Sequence, residues 1–122
     1  MARLLMLDTS RNELRETECN ELDDFYRDLG AEPFDIARRK IGGKMYDIFV
    51  DDMGLFRDNP IVSAISKSAE PMLVGNLIFA NHDNEGNTTD LSVQDIARIC
   101  SNMVRIASKD KPEGWLAVMC EY

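Results

Sequence analysis

Large aliphatic residues run unbroken from Leu4 to Leu7, and Arg3 to Asp8 reads as a buried strand. Glu13 to Cys19 alternates charged and smaller residues like an exposed strand, so Thr9-Ser10-Arg11-Asn12 between the two predicts a hairpin. Asn20 followed by Asp23 has the form of an N-cap with an acid in the first turn. Leu22, Phe25, Tyr26 and Leu29 then recur at helical spacing, and Gly30 supplies the stop. Pro33 to Arg39 and Lys44 to Val50 predict a second hairpin, joined at Gly42-Gly43, where positive φ costs little. Asp51-Asp52-Met53-Gly54 is a turn. Asn59-Pro60 then predicts an N-cap with proline at the first helical position, opening a short helix that ends near Ser66.

Met72 to Ala80 is the most strand-like run, apolar enough to lie centrally in a sheet, with Gly75 marking a bulge or a close backbone approach. His82 to Asp90 reads as a polar loop. Ser92 with Asp95 forms a start like a capping box, and Leu91 and Ile96 occupy the positions of a hydrophobic staple. Val93, Ile96, Ala97, Cys100, Met103, Val104 and Ala107 then repeat at helical spacing and predict one apolar stripe on a helix. Trp115 to Cys120 predicts a last strand. The expected fold is α+β in a single domain over residues 1–122. Its sheet is antiparallel or mixed, of about five to six strands, with two main helices and one short helix.

Composition agrees with one ordinary core, since 44% of the 122 residues are hydrophobic. The apolar runs fall short of the roughly 20 residues of a membrane-spanning helix. Met1 to Asp8 is unlike a secretory signal, so a cytoplasmic location without membrane association is expected. Cys19, Cys100 and Cys120 are odd in number and form no C-x-x-C pair, which argues against a disulfide framework or a zinc site and reads as three thiols. A formal charge of −8 repels phosphate backbones, so direct nucleic-acid binding is not expected, whereas basic partners suit it.

Candidate chemistry is sparse. Arg38-Arg39-Lys40 with Lys44 across the Gly42-Gly43 turn is a cationic cluster that could hold a phosphate or a nucleotide-like ligand; its plain alternative is a solvated hairpin tip. Asp47, Asp51 and Asp52 could offer oxygens to a hard cation, or simply form a solvated strand end. His82 is the only histidine, so any imidazole-based mechanism must use it; otherwise it is a loop side chain in water. Glu16, Glu18, Glu21, Asp23 and Asp24 could imitate phosphates, but Arg11, Arg15 and Arg27 dilute them. No nucleophile elbow and no metal or cofactor motif is present, so neither catalytic residues nor a cofactor are expected.

Three motifs in the middle of the chain fall in a suggestive order. They are Tyr46-Asp47-Ile48-Phe49-Val50-Asp51-Asp52-Met53-Gly54-Leu55, then Asn59-Pro60-Ile61-Val62-Ser63-Ala64-Ile65, then Val74-Gly75-Asn76. Over roughly residues 3–106 the chain resembles the family called domain of unknown function 3846. This chain has Arg57 and Asp58 where that family usually has a small hydrophobic or glycine-proline element. The resemblance implies an origin in phages or bacterial mobile elements and brings no catalytic residues. Asp51, Asp52, Gly54, Asn59, Pro60, Ser63, Gly75 and Asn76 are each explained as turn, cap and packing residues.

The leading expectation is therefore a non-enzymatic accessory protein that binds and modulates a host protein in a bacterial cytoplasm, in the service of counter-defence. The alternatives are a small-molecule binder that sequesters a nucleotide-like signal, and a metal-dependent hydrolase. Met6, Met45, Met53, Met72, Met103 and Met119 allow an adaptable apolar interface, and a homodimer fits them.

Overall fold

The structure, a computed structural model, describes residues 2–30, 34–56 and 60–121. The chain forms β1 (Ala2–Asp8), β2 (Glu13–Cys19), α1 (Leu22–Leu29), β3 (Phe34–Ile41) and β4 (Lys44–Asp51), then a 3-10 turn (Gly54–Phe56). There follow β5 (Val62–Ser66), β6 (Pro71–Val74), β7 (Leu77–His82), β8 (Thr88–Thr89), α2 (Val93–Ser101), β9 (Met103–Ile106) and β10 (Trp115–Cys120). The fold is α+β and rich in β, with two sheets rather than the one expected. The larger runs β2-β1-β7-β4-β3 with β8 added beside β7, and the smaller runs β6-β5-β10-β9. All pairings are antiparallel except β5 with β10.

Alternation along the larger sheet divides the core in two. Leu5, Leu7, Tyr46, Ile48, Val50, Leu77 and Phe79 face inward, where Ala64, Val118, Cys120 and Ile99 from the smaller sheet and α2 meet them. Leu4, Met6, Phe49, Ile78 and Ala80 face outward beneath Phe25 and Leu29 of α1. The Phe25 and Phe49 rings lie 4.3 Å apart, and Phe34 closes the cluster at 5.8 Å from Phe25 and 5.6 Å from Phe49.

Several expectations are corrected. The short helix after Asn59-Pro60 does not form: Asn59 lies outside the described residues, Pro60 is in neither helix nor strand, and Val62–Ser66 is strand β5. Its Ser63, Ala64, Ile65 and Ser66 are buried, and β10 supplies a parallel partner that a local reading of the chain does not contain. Helix α2 is also shorter than its stripe, because Met103–Ile106 leaves it as β9. Asn102 ends the helix: its backbone N–H donates to the Ile99 carbonyl, its side chain donates to the Arg98 carbonyl, and its own carbonyl accepts from Met119 of β10. Within α2 the buried side is Asp95 and Ile99, while Val93, Ala97 and Cys100 are exposed. Cys100 is thus a surface thiol and not a core residue.

The apolar run from Met72 to Ala80 is two strands, not one. Gly75, at φ +81°, breaks it where the chain leaves the smaller sheet (β6) and enters the larger (β7). The family-like motifs meet at this crossing. A Cβ on Gly54 would lie 2.7 Å from Cγ2 of Val74, so that glycine is required by close approach. The Gly75 N–H donates to the Ile61 carbonyl at 2.9 Å. Asn76 Oδ1 accepts from the Thr9 N–H and hydroxyl, each at 2.8 Å, and its amide donates to the Asp28 carbonyl at 3.1 Å. Ser63 is buried in β5, its hydroxyl 3.5 Å from the Leu73 carbonyl. Among the described residues no helix is long and apolar enough to cross a membrane.

Candidate functional site

Arg38, Arg39, Lys40 and Lys44 lie on one hairpin, but alternation parts them between the two faces of the sheet. Arg38 pairs in register with Asp47 and Lys40 with Met45 on the outer side; Arg39 pairs with Tyr46, and Ile41 with Lys44, on the inner side. The hairpin therefore does not gather its four cations into one cradle.

Of the inner cations, Lys44 belongs to a network around Asp95, a carboxylate buried between α2 and the sheet, whereas Arg39 donates to the Arg38 carbonyl. Asp95 Oδ1 accepts from Lys44 Nζ at 2.7 Å, from the Tyr46 hydroxyl at 2.7 Å and from Arg98 at 3.2 Å. Its Oδ2 accepts from the Asn81 amide at 2.8 Å and from the Ser92 N–H at 2.9 Å. The Tyr46 hydroxyl also accepts from Arg98 at 2.8 Å. Burial opposes ionisation of Asp95, but Lys44, the Ser92 amide, Tyr46 and Asn81 together hold it well below the usual carboxylate range. Burial, then the hydrogen bond to Asp95, pushes the Tyr46 phenol up to about 12. The network fastens α2 to the sheet.

On the outer side Arg38 belongs to a different assembly. Helix α1 covers only part of the outer face, leaving Ile36 and Met45 46% and 54% exposed. Beside them Asp47, which is 5% exposed, accepts from Arg38 Nε at 3.1 Å through Oδ1, and its Oδ2 lies 3.0 Å from His82 Nδ1. A carboxylate at that distance selects the imidazole tautomer with its proton on Nδ1 and leaves Nε2 directed away from it. An open groove of about 670 Å³ lies against Arg38 and Asp47, and Gly86 and Thr88 line it as well. Thr88 is the register partner of His82. His82 is therefore exposed but tethered: the sheet brings it to Asp47, which also binds Arg38, from three separate segments. Reading the sequence segment by segment misses this convergence. The signal that could reveal it is Asp47 itself, a charge inside the apolar run Tyr46 to Val50, since a buried carboxylate requires cationic or hydrogen-bonding partners.

The turn after β4 carries a third feature. Asp51 caps its own turn, accepting from the Met53 N–H at 2.9 Å, and Asp52 is exposed. Among the described residues no three His, Cys, Asp or Glu side chains come together as a metal cage. The turn instead projects Leu55 and Phe56, which are 75% and 80% exposed. They border a cavity of about 290 Å³ whose apolar wall includes Val50, Met72, Leu73 and Val74, with Asp35 and Asp52 among the polar residues lining it.

The domain of unknown function DUF3846 matches residues 2–103. The chain belongs to this family. The matched span covers every element that meets at the Gly54–Val74 crossing, and both the Arg38–Asp47–His82 and Asp95 clusters lie within it. No curated protein and no solved structure matches the chain.

Proposed function

We propose that this DUF3846 protein is a non-enzymatic accessory protein of a phage or mobile element, which binds and modulates a host protein in the bacterial cytoplasm as part of counter-defence. The observation that carries this reading is the pair Leu55 and Phe56, two large apolar side chains standing in water on one turn beside an apolar cavity. Adjacent exposed side chains of this size mark contact surfaces more often than isolated ones do. Asp35 and Asp52 at the cavity, together with a formal charge of −8, favour a partner that offers an apolar side chain flanked by Lys or Arg.

The test begins with tagged protein in host lysate and continues with the purified partner. A protein retained in stoichiometric amount, rebinding in a purified pair and lost when Leu55 and Phe56 are both replaced by Ser, supports the reading. Undiminished binding by that double variant, or a catalytic activity of the isolated protein, overturns it.

A second reading, a small-molecule binder that sequesters a nucleotide-like signal, draws on one observation: Arg38 lines an open groove beside Asp47, the carboxylate that also binds His82. Stabilisation of the folded protein against heat by nucleotides tests it.

A further inference from the structure

We propose that the Arg38–Asp47–His82 cluster is an oxyanion site that takes the phosphate monoester of a mononucleotide. The inference rests on the small-molecule reading and deepens it by naming the site, which is the outer face of the sheet rather than the hairpin tip. Asp47 is buried in β4 and spends one oxygen on each neighbour, so it fixes the Arg38 guanidinium of β3 and the His82 imidazole of β7 on its two flanks. Arg38 spends only Nε on Asp47, and its terminal N–H groups have no acceptor among the described residues. His82 likewise spends only Nδ1, and its Nε2 has no partner among them. The two side chains are 63% and 38% exposed, so these remaining positions are open to a ligand.

A guanidinium fork matches the geometry of phosphate oxygens, and an imidazole nitrogen beside it adds a donor when protonated. Ile36, Arg38, Asp47 and Thr88 line the open groove of about 670 Å³, and Thr88 is the register partner of His82. Ile36 lies two residues before Arg38 on the same face of β3, about 7 Å along the strand, and offers an exposed apolar surface for a base. Lys40 follows Arg38 at the same spacing in the other direction and keeps that face cationic. Asp35 lines the same groove and opposes an anion there, so the Arg38 fork has to outweigh it.

His82 is the only histidine, so its ring gives one isolated NMR signal that reports on this site. The experiment titrates the full chain with inorganic phosphate, adenosine monophosphate and adenosine while following that signal and the melting temperature. The expected result is a saturable displacement by phosphate and by the nucleotide, tighter for the nucleotide, and none by adenosine. Arg38→Gln is expected to weaken binding by about ten- to a hundredfold. Arg38→Lys keeps a cation beside Asp47 but removes the fork, so it must weaken binding too and carries the test if the glutamine variant fails to fold. A nucleotide that stabilises the protein while the His82 signal stays still overturns this site and leaves the small-molecule reading standing. Silence in both measurements overturns both. Phosphate as tight as the nucleotide, or binding unaffected by Arg38→Lys, overturns the mononucleotide assignment or the role of the fork.

Discussion

Arg98 crosses over Gly42 so closely that a Cβ on Gly42 would lie 2.7 Å from Arg98 Cγ. The contact cannot relax by swinging Arg98 aside, because its guanidinium is bound to the Tyr46 hydroxyl and to Asp95. Gly42 also sits at φ +57°, so a side chain there meets backbone strain and a clash together. Gly43, at φ +89°, has open space around it. Gly42→Ala and Gly43→Ala therefore share a strain of about 1–2 kcal/mol, and only the first also disturbs the Asp95 network. Thermal denaturation of the two variants is expected to show Gly42→Ala as the less stable by about 1–3 kcal/mol.

The Asp95 network also predicts a pH dependence. Asp95 is held below the ordinary range in the folded chain, where an unfolded aspartate titrates near about 3.9. A depressed carboxylate contributes stability that is complete above its unfolded value and is lost as pH falls through its folded one. Acid is thus expected to weaken the protein progressively from about pH 4 downward. Asp95→Asn should lower stability at pH 7 by about 1–3 kcal/mol, because Lys44 and Arg98 lose their shared counter-charge while staying partly solvated. It should also flatten the acid limb, read by urea midpoints at pH 7, 5 and 3.

Much of this arrangement can be read from local pattern, and the part that cannot is long-range pairing. The two hairpins, α1 and its glycine stop, the Ser92 cap and strand β10 each depend on neighbours a few residues away, and periodicity or turn chemistry displays them. Strand β5 does not, because Val62-Ser63-Ala64-Ile65-Ser66 has no clear period and becomes a strand by lying beside β10, which begins at Trp115. The stripe through Val93 and Ala107 misleads for a related reason. Met103 and Val104 fit a helical spacing on paper but lie in a strand, where Val104 and Ile106 alternate with polar Arg105 and which the Asn102 stop makes possible. The candidate site shares this limit, since Asp47 and His82 stand 35 residues apart and only sheet register joins them.

The three thiols differ enough to be told apart chemically. Burial, then the charge of Asp28 nearby, pushes Cys19 up to about 12, and burial pushes Cys120 up to about 11, whereas Cys100 is exposed on α2. Reactivity requires an accessible thiolate. Native protein at pH 8 is expected to release one equivalent of chromophore with a disulfide reagent, lost in Cys100→Ser, and the remaining two only in denaturant. The same shifts bear on alkaline stability. A raised thiol contributes stability that is present below its unfolded pKa, about 8.5, and fades as pH rises through the folded value. Unfolding midpoints should therefore fall between about pH 9 and 12.

Gly54 follows the Asp51-Asp52 pair at the end of β4. Gly54 does not adopt a positive φ, so conformational freedom is not its reason; Val74 Cγ2 occupies the place where its side chain would begin. Gly54→Ala should then destabilise by about 1–3 kcal/mol through overpacking. Val74→Ala removes the obstructing methyl groups at a cost of about 1–2 kcal/mol of its own, through lost burial. If the two residues act through this contact, the double variant is more stable than the sum of the single losses by about 1 kcal/mol or more. Strict additivity would mean that Gly54 serves the turn alone. A positive coupling would mean that the motif ending β4 and the Val74-Gly75-Asn76 motif are two halves of one joint, at which the chain passes from the smaller sheet to the larger.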